Sequence, residues 1–167
     1  MKPSDHPEFF RLPPPEGRSR ESSIRLDAAG RFWHEGAPVE HAGMARAFAS
    51  WISRHPDDGR YILNNGFDWT YFQVEKTPYF VLSVRAAEGG SLLLSLFDGS
   101  EELLDPSCLW LENEELYTSV KGRTLTARFS RQAQIALGEW LREREDGSIA
   151  LQIGEGSYDI RGGSPAP

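Results

Sequence analysis

Cysteine is nearly missing from this 167-residue sequence: Cys108 is the only one, so no internal disulfide can form. Its neighbours Leu109 and Trp110 are apolar, which predicts an inert thiol in a reducing compartment. Long apolar runs are missing too. No segment approaches the roughly 20 residues that cross a bilayer, and the opening MKPSDHPEFFRLPPPEGR lacks the apolar stretch of a signal peptide. These absences predict a soluble, cytoplasmic protein with no membrane partner. Positive charge is scarce as well. The formal net charge of −7 repels polyanions and argues against a nucleic-acid partner. Ala86 to Val120 holds eight acids and no Lys or Arg, and a basic cluster at Lys121, Arg123, Arg128 and Arg131 follows; both read as solvated faces.

Several chemical signatures are lacking. There is no HExxH helix, no cysteine pair, no G-x-S-x-G elbow and no Walker lysine near GEGSYDIRGG. FDGSEELLD lacks the alternating donors of a calcium loop. FWHEGAPVEH, Phe32 to His41, gathers His34, Glu35 and His41, but neighbouring side chains on a strand point to opposite faces, so the stretch reads as a surface hairpin. We therefore expect no metal, no cofactor and no assigned catalytic residue.

What is present is a series of short strands broken by turn chemistry: D-A-A-G at 27–30, E-G-A-P at 35–38, and D-G at 58–59 and 98–99. Residues 1–22 hold five prolines and predict an irregular lead segment, with Phe9, Phe10 and Leu12 as anchors. Residues 162–167 should form a flexible tail. Two stretches have helical spacing. From about His41 to His55, Met44, Phe48, Trp51 and Ile52 make one apolar stripe; from Ser130 to about Glu143, Ala133, Ala136, Leu137, Trp140 and Leu141 make another, with Ser130 placed as a cap.

Shifted by 88 residues, DGRYIL at 58–63 falls on DGSIAL at 146–151, and Ala45, Ala49 and Ile52 fall on Ala133, Leu137 and Trp140. Each helix follows a hairpin turning at Gly36 or Gly122 and precedes a strand pair. The expected fold is α+β: two tandem ββαββ-like units, mostly antiparallel sheet, with two main helices, as lobes over 23–84 and 85–161. TPYFVLSV and SLLLSLF, nearly continuous in apolar character, predict strands covered on both faces.

The run IRLDAAGRFWHEGAPVEHAGMARAFASWISRHPDDGRYIL, with FQVEKTPYFVLSV after it, resembles the bacterial family called domain of unknown function 1285. The likeness rests on the turn before Trp33, Gly36-x-Pro38-Val39 leading into a helix around Phe48, Asp58-Gly59 before a strand, and Val74-Glu75-x-x-Pro78-x-Phe80. The resemblance implies a cytoplasmic α+β protein of repeated motifs, with no assigned activity and a binding or signalling role argued from fold. The sequence departs from the family at Glu40-His41, where members tend to carry an arginine, and at Asn64-Asn65-Gly66-Phe67-Asp68, in place of a Thr-Pro segment.

The candidate site is that departing loop. Asn64, Asn65, Asp68 and Trp69 join polar groups to a flat aromatic surface, and Tyr71 and Trp33 extend it, the mixture that small-molecule and peptide pockets use. Asp68 and Glu75 are the acids set among aromatics, where desolvation could raise a pKa. The expected function is a non-enzymatic module that binds an unknown small molecule or protein partner. The alternatives are a small hydrolase or transferase working through acids or histidines in the same cleft, and a structural subunit marked by an exposed apolar patch from TPYFVLSV.

Overall fold

Turn chemistry cuts the chain into seventeen short strands and two helices, and the computed structural model describes them over residues 1–163. Of the expected tail, Gly162 pairs in a strand and 164–167 lie outside the described residues. The fold class is α+β with mostly antiparallel sheet. Two compact units divide between Pro78 and Tyr79. Tyr79–Ala86, the strand of the TPYFVLSV stretch, pairs within the second. Residues 1–22 are part of the first.

In the first unit, β1 (Arg25–Leu26), β2 (Phe32–His34) and β3 (Ala37–Pro38) form an antiparallel ladder. The β2–β3 hairpin turns at Gly36, whose φ of +78° is open to glycine at little cost. α1 (Ala42–Ser50) follows, capped by His41, whose Nδ1 accepts from the Met44 amide. The helix stops at Trp51, short of His55, and Ile52 opens a strand: the apolar spacing after Trp51 belongs to a ladder, where side chains alternate. Met44, expected in the stripe, is exposed, while Ala49 is buried. β4 (Ile52–Arg54), β5 (Tyr61–Asn64) and β6 (Trp69–Tyr71) make an antiparallel meander. β7 (Gln73–Val74) then returns parallel to β1.

The second unit begins with β8 (Tyr79–Ala86), β9 (Leu92–Leu96) and β10 (Glu101–Leu103) on one side of a seven-stranded sheet. Tyr79, Phe80 and Val81 are buried, but a bulge between Val81 and Ser83 turns Leu82 and Ser83 outward, so β8 is not covered on both faces along its length. β11 (Trp110–Glu112), β12 (Glu115–Val120) and β13 (Leu125–Phe129) form an antiparallel ladder, and β13 joins β8 in parallel. α2 (Arg131–Leu137) packs against β8 and β13, and Ser130 Oγ caps it by accepting from the Ala133 amide. A single 3-10 turn, Gly138–Trp140, ends the helix before the expected Glu143. β14 (Leu141–Glu143), β15 (Ile149–Ile153) and β16 (Gly156–Asp159) form a meander, and β17 (Arg161–Gly162) returns parallel to β11.

One pairing scheme thus occurs in each unit: a three-strand ladder, a capped helix, a three-strand meander and a return strand parallel to the first. It is longer than the expected ββαββ. Bonds outside the ladders follow it too. Phe72 N donates to Tyr61 O and Glu75 N to Leu26 O; in the second unit Ile160 N donates to Ile149 O and Gly163 N to Leu111 O. Phe32, Ile62, Leu63 and Phe72 are core residues of the first unit, and Leu94, Phe129, Leu137 and Leu151 of the second.

Candidate functional site

The β5–β6 connection turns its side-chain oxygens onto its own backbone. Asn64 Oδ1 accepts from the Gly66 amide at 2.8 Å, and Asn65 Oδ1 accepts from the Phe67 and Asp68 amides at 2.8 Å each. These are Asx turns, in which a short side chain replaces a backbone acceptor. Asp68 Oδ1 accepts from the Trp69 amide and, at 2.6 Å, from Arg20 Nη1. Burial alone would raise the Asp68 pKa; the Arg20 guanidinium and the Trp69 amide outweigh it and hold the carboxyl below its ordinary value.

Two aromatic members of the expected site, Trp69 and Tyr71, pack against the chain's own lead segment. Trp69 is buried in a cluster with Phe9 and Ile62, against which Phe10 and Tyr71 pack, and the Arg20 guanidinium lies 4.4 Å from the Trp69 ring. Phe9 and Phe10 anchor the segment, whereas Leu12 is exposed. Further bonds fasten it: Arg11 pairs with Asp57 at 3.0 Å, Ser4 N donates to Gly66 O, and Tyr71 N donates to Arg20 O. The Tyr71 hydroxyl donates to Asp58 at 2.6 Å. Trp33 Nε1 donates to Asp27 Oδ2 at 2.8 Å, with Arg25 over its ring.

The six candidate residues therefore do not form one hollow. Asn65, Asp68 and Trp69 line a depression of about 150 Å³ together with Ile24, Phe48 and Trp51, and Asn64, Tyr71 and Trp33 are not in its lining. The groups considered for catalysis are separate as well. His34 is exposed on β2, His41 caps α1, and Glu75 accepts from the Ala28 amide. The buried His55 sets its Nε2 against the Phe10 carbonyl and accepts from the Asp57 amide at Nδ1. Cys108 closes a 3-10 turn beside Asp105, and burial together with that carboxylate pushes its thiol pKa up. Among the described residues, no group of three His, Cys, Asp or Glu side chains is placed to hold a metal ion, and no helix is long and apolar enough to cross a membrane.

A larger, mostly apolar hollow lies in the second unit. Leu111, Leu116, Ile135, Leu141, Ile149 and Ile160 line a cleft of about 380 Å³, with Glu114 and Gln134 at its edge. Gln134 holds one rim in place: its Oε1 accepts from the Leu116 amide at 3.2 Å and its Nε2 donates to the Glu114 carbonyl at 2.8 Å. Ile135, on the solvent side of α2, is 68 % exposed at the cleft. A polar hollow of about 390 Å³ adjoins it and shares Glu114, Gln134 and Ile135; there Arg128 pairs with Glu115 at 3.1 Å beside Arg131. Sequence reasoning assigned none of these residues to a site, although it placed Leu141 in the apolar stripe of α2 and Arg128 and Arg131 in a basic cluster. The available signal was Ile135, an apolar residue outside the buried stripe of α2.

The fold is matched by two solved structures. A DUF1285 family protein from Silicibacter pomeroyi is similar with a TM-score of 0.69 at 19 % identity, over 93 % of this chain and 87 % of that one. A DUF1285 family protein from Shewanella baltica is similar with a TM-score of 0.57 at 23 % identity, over 68 % of this chain and 87 % of that one. The chain has the DUF1285 fold. At these identities the likeness to DUF1285 proteins is one of architecture, and it agrees with the turn and core residues that carry the resemblance in sequence. No protein-family model matches the sequence, and no curated protein matches it significantly.

Proposed function

We propose that the chain is a non-enzymatic, cytoplasmic module that binds a small apolar ligand in the cleft of its second unit, and that any signalling role runs through that ligand. The observation that carries the reading is the lining. Six apolar side chains surround about 380 Å³, within the size range of small-molecule pockets, and Gln134 fixes the rim by two hydrogen bonds. A cleft of this composition favours burial of an apolar group and offers little for proton transfer, since its one ionisable lining residue is Glu114.

The test is a thermal-shift screen of a metabolite library on the full chain and on Ile135→Asp. Ile135 is exposed, so the substitution should leave the melting temperature nearly unchanged. A ligand present at a hundred times its Kd raises stability by about 2.7 kcal/mol. Compounds that stabilise the parent protein are expected to lose that effect in Ile135→Asp. Equal stabilisation of both proteins would remove the cleft from consideration.

A further inference from the structure

We infer that the cleft of the second unit takes a flat aromatic ring, an inference that rests on reading the cleft as a ligand site and adds the class of ligand. The ground is the shared pairing scheme, which gives the lining residues of the ladder and meander counterparts in the first unit. In the ladders, Leu26 opposes Phe32 as Leu111 opposes Leu116. In the meanders, Arg54 opposes Tyr61 as Glu143 opposes Ile149, and Ile52 opposes Leu63 as Leu141 opposes Leu151. The bond from Phe72 N to Tyr61 O has its match in that from Ile160 N to Ile149 O. Leu116, Ile149 and Ile160 therefore stand where the first unit has Phe32, Tyr61 and Phe72.

In the first unit those three rings fill the space. Phe32 and Phe72 have centroids 6.4 Å apart, Tyr61 and Phe72 6.5 Å, and Phe48 extends the cluster at 5.6 Å from Phe32. In the second unit the same three positions are aliphatic, and the space they border is the open cleft. Ladder and meander bring these positions together by the same pairing in both units, so shorter side chains there leave room of ring shape. α2 adds to this: counted from the caps, Ile135 is five residues after Ser130 as Arg46 is five after His41, a register one residue off the 88-residue offset, and it places an apolar residue at the cleft. Both polar ends of the Gln134 amide are engaged with backbone, which leaves the ring contacts apolar. A substituent on the ring would point into the adjoining hollow, towards Arg131.

The experiment uses the full chain labelled at isoleucine δ1-methyl groups, titrated separately with indole and with 1-hexanol and followed by NMR. Indole should shift Ile135, Ile149 and Ile160 saturably. It should bind about tenfold more tightly than hexanol, because a rigid ring loses no internal rotation on entering. Ile160→Phe and, separately, Ile149→Tyr restore the first unit's residues and fill the cleft, so each should abolish the indole response at Ile135 while the melting temperature holds or rises. Two independent substitutions guard against one that fails to fold, and Leu116→Phe provides a third. Undiminished indole binding in the folded variants overturns the inference. Hexanol binding as tightly as indole, with loss in the filled variants, overturns the ring but leaves the cleft as a ligand site. No response to either probe removes both the ring and the binding function.

Discussion

Trp69 shows how a residue with the chemistry of a binding group can be structural. Its neighbourhood in sequence, asparagines and an aspartate around an aromatic, is that of a pocket; its neighbourhood in space is Phe9, Ile62 and Arg20. The turn residues Asn64, Asn65 and Gly66 were legible as a turn, because their chemistry is local. That the asparagine oxygens would accept from the turn's own amides was not, since this depends on the conformation adopted. Trp69 also has a buried indole N–H without a hydrogen-bond partner, which separates its volume from its polarity. Trp69→Ala should therefore cost about 3–5 kcal/mol, as for other large core aromatics, whereas Trp69→Phe should cost about 1 kcal/mol, since no hydrogen bond is lost. Urea denaturation of both variants checks this, and a phenylalanine variant as damaged as the alanine one would point to an unrecognised polar role.

At the scale of elements, both helices are shorter than their apolar spacing predicted. The residues that lengthen the stripe, Ile52 in one case and Leu141 in the other, begin strands instead. Each supplies an inward side chain either way, so hydrophobic position was readable while period was not. Short helices depend on their ends. α2 has seven residues, and its first-turn amides are met by Ser130. Ser130→Ala should lower stability by about 1 kcal/mol, measured as a shift in urea midpoint at constant slope. A change below about 0.3 kcal/mol would mean that packing on β8 alone positions the helix, and with it Gln134 and the cleft rim.

Across the whole molecule, one order of ladder, helix, meander and return strand occurs in each unit. The strand pairs were visible in sequence because turn residues recur. The return strands were not, because two-residue strands leave no periodicity to detect. The units differ in what their meanders show on the outer face. The positions of Trp69 and Tyr71, paired with Asn64 and Ile62, are taken in the second unit by Ser157 and Asp159, paired with Gln152 and Ala150. One face is oily and the other tolerates water.

That contrast explains why a proline-rich opening, which composition marks as irregular, is seated on the first unit through Phe9. Protein shortened to start at Ser22 should bind the dye anilinonaphthalene sulfonate and self-associate in light scattering, as newly wetted aromatic surface does. A shortened protein that stays monomeric and dye-free would show the opening to be ornamental. Otherwise, trimming this chain to make it better behaved in the laboratory will have the opposite effect, because the removed residues include the Phe9 that covers Trp69.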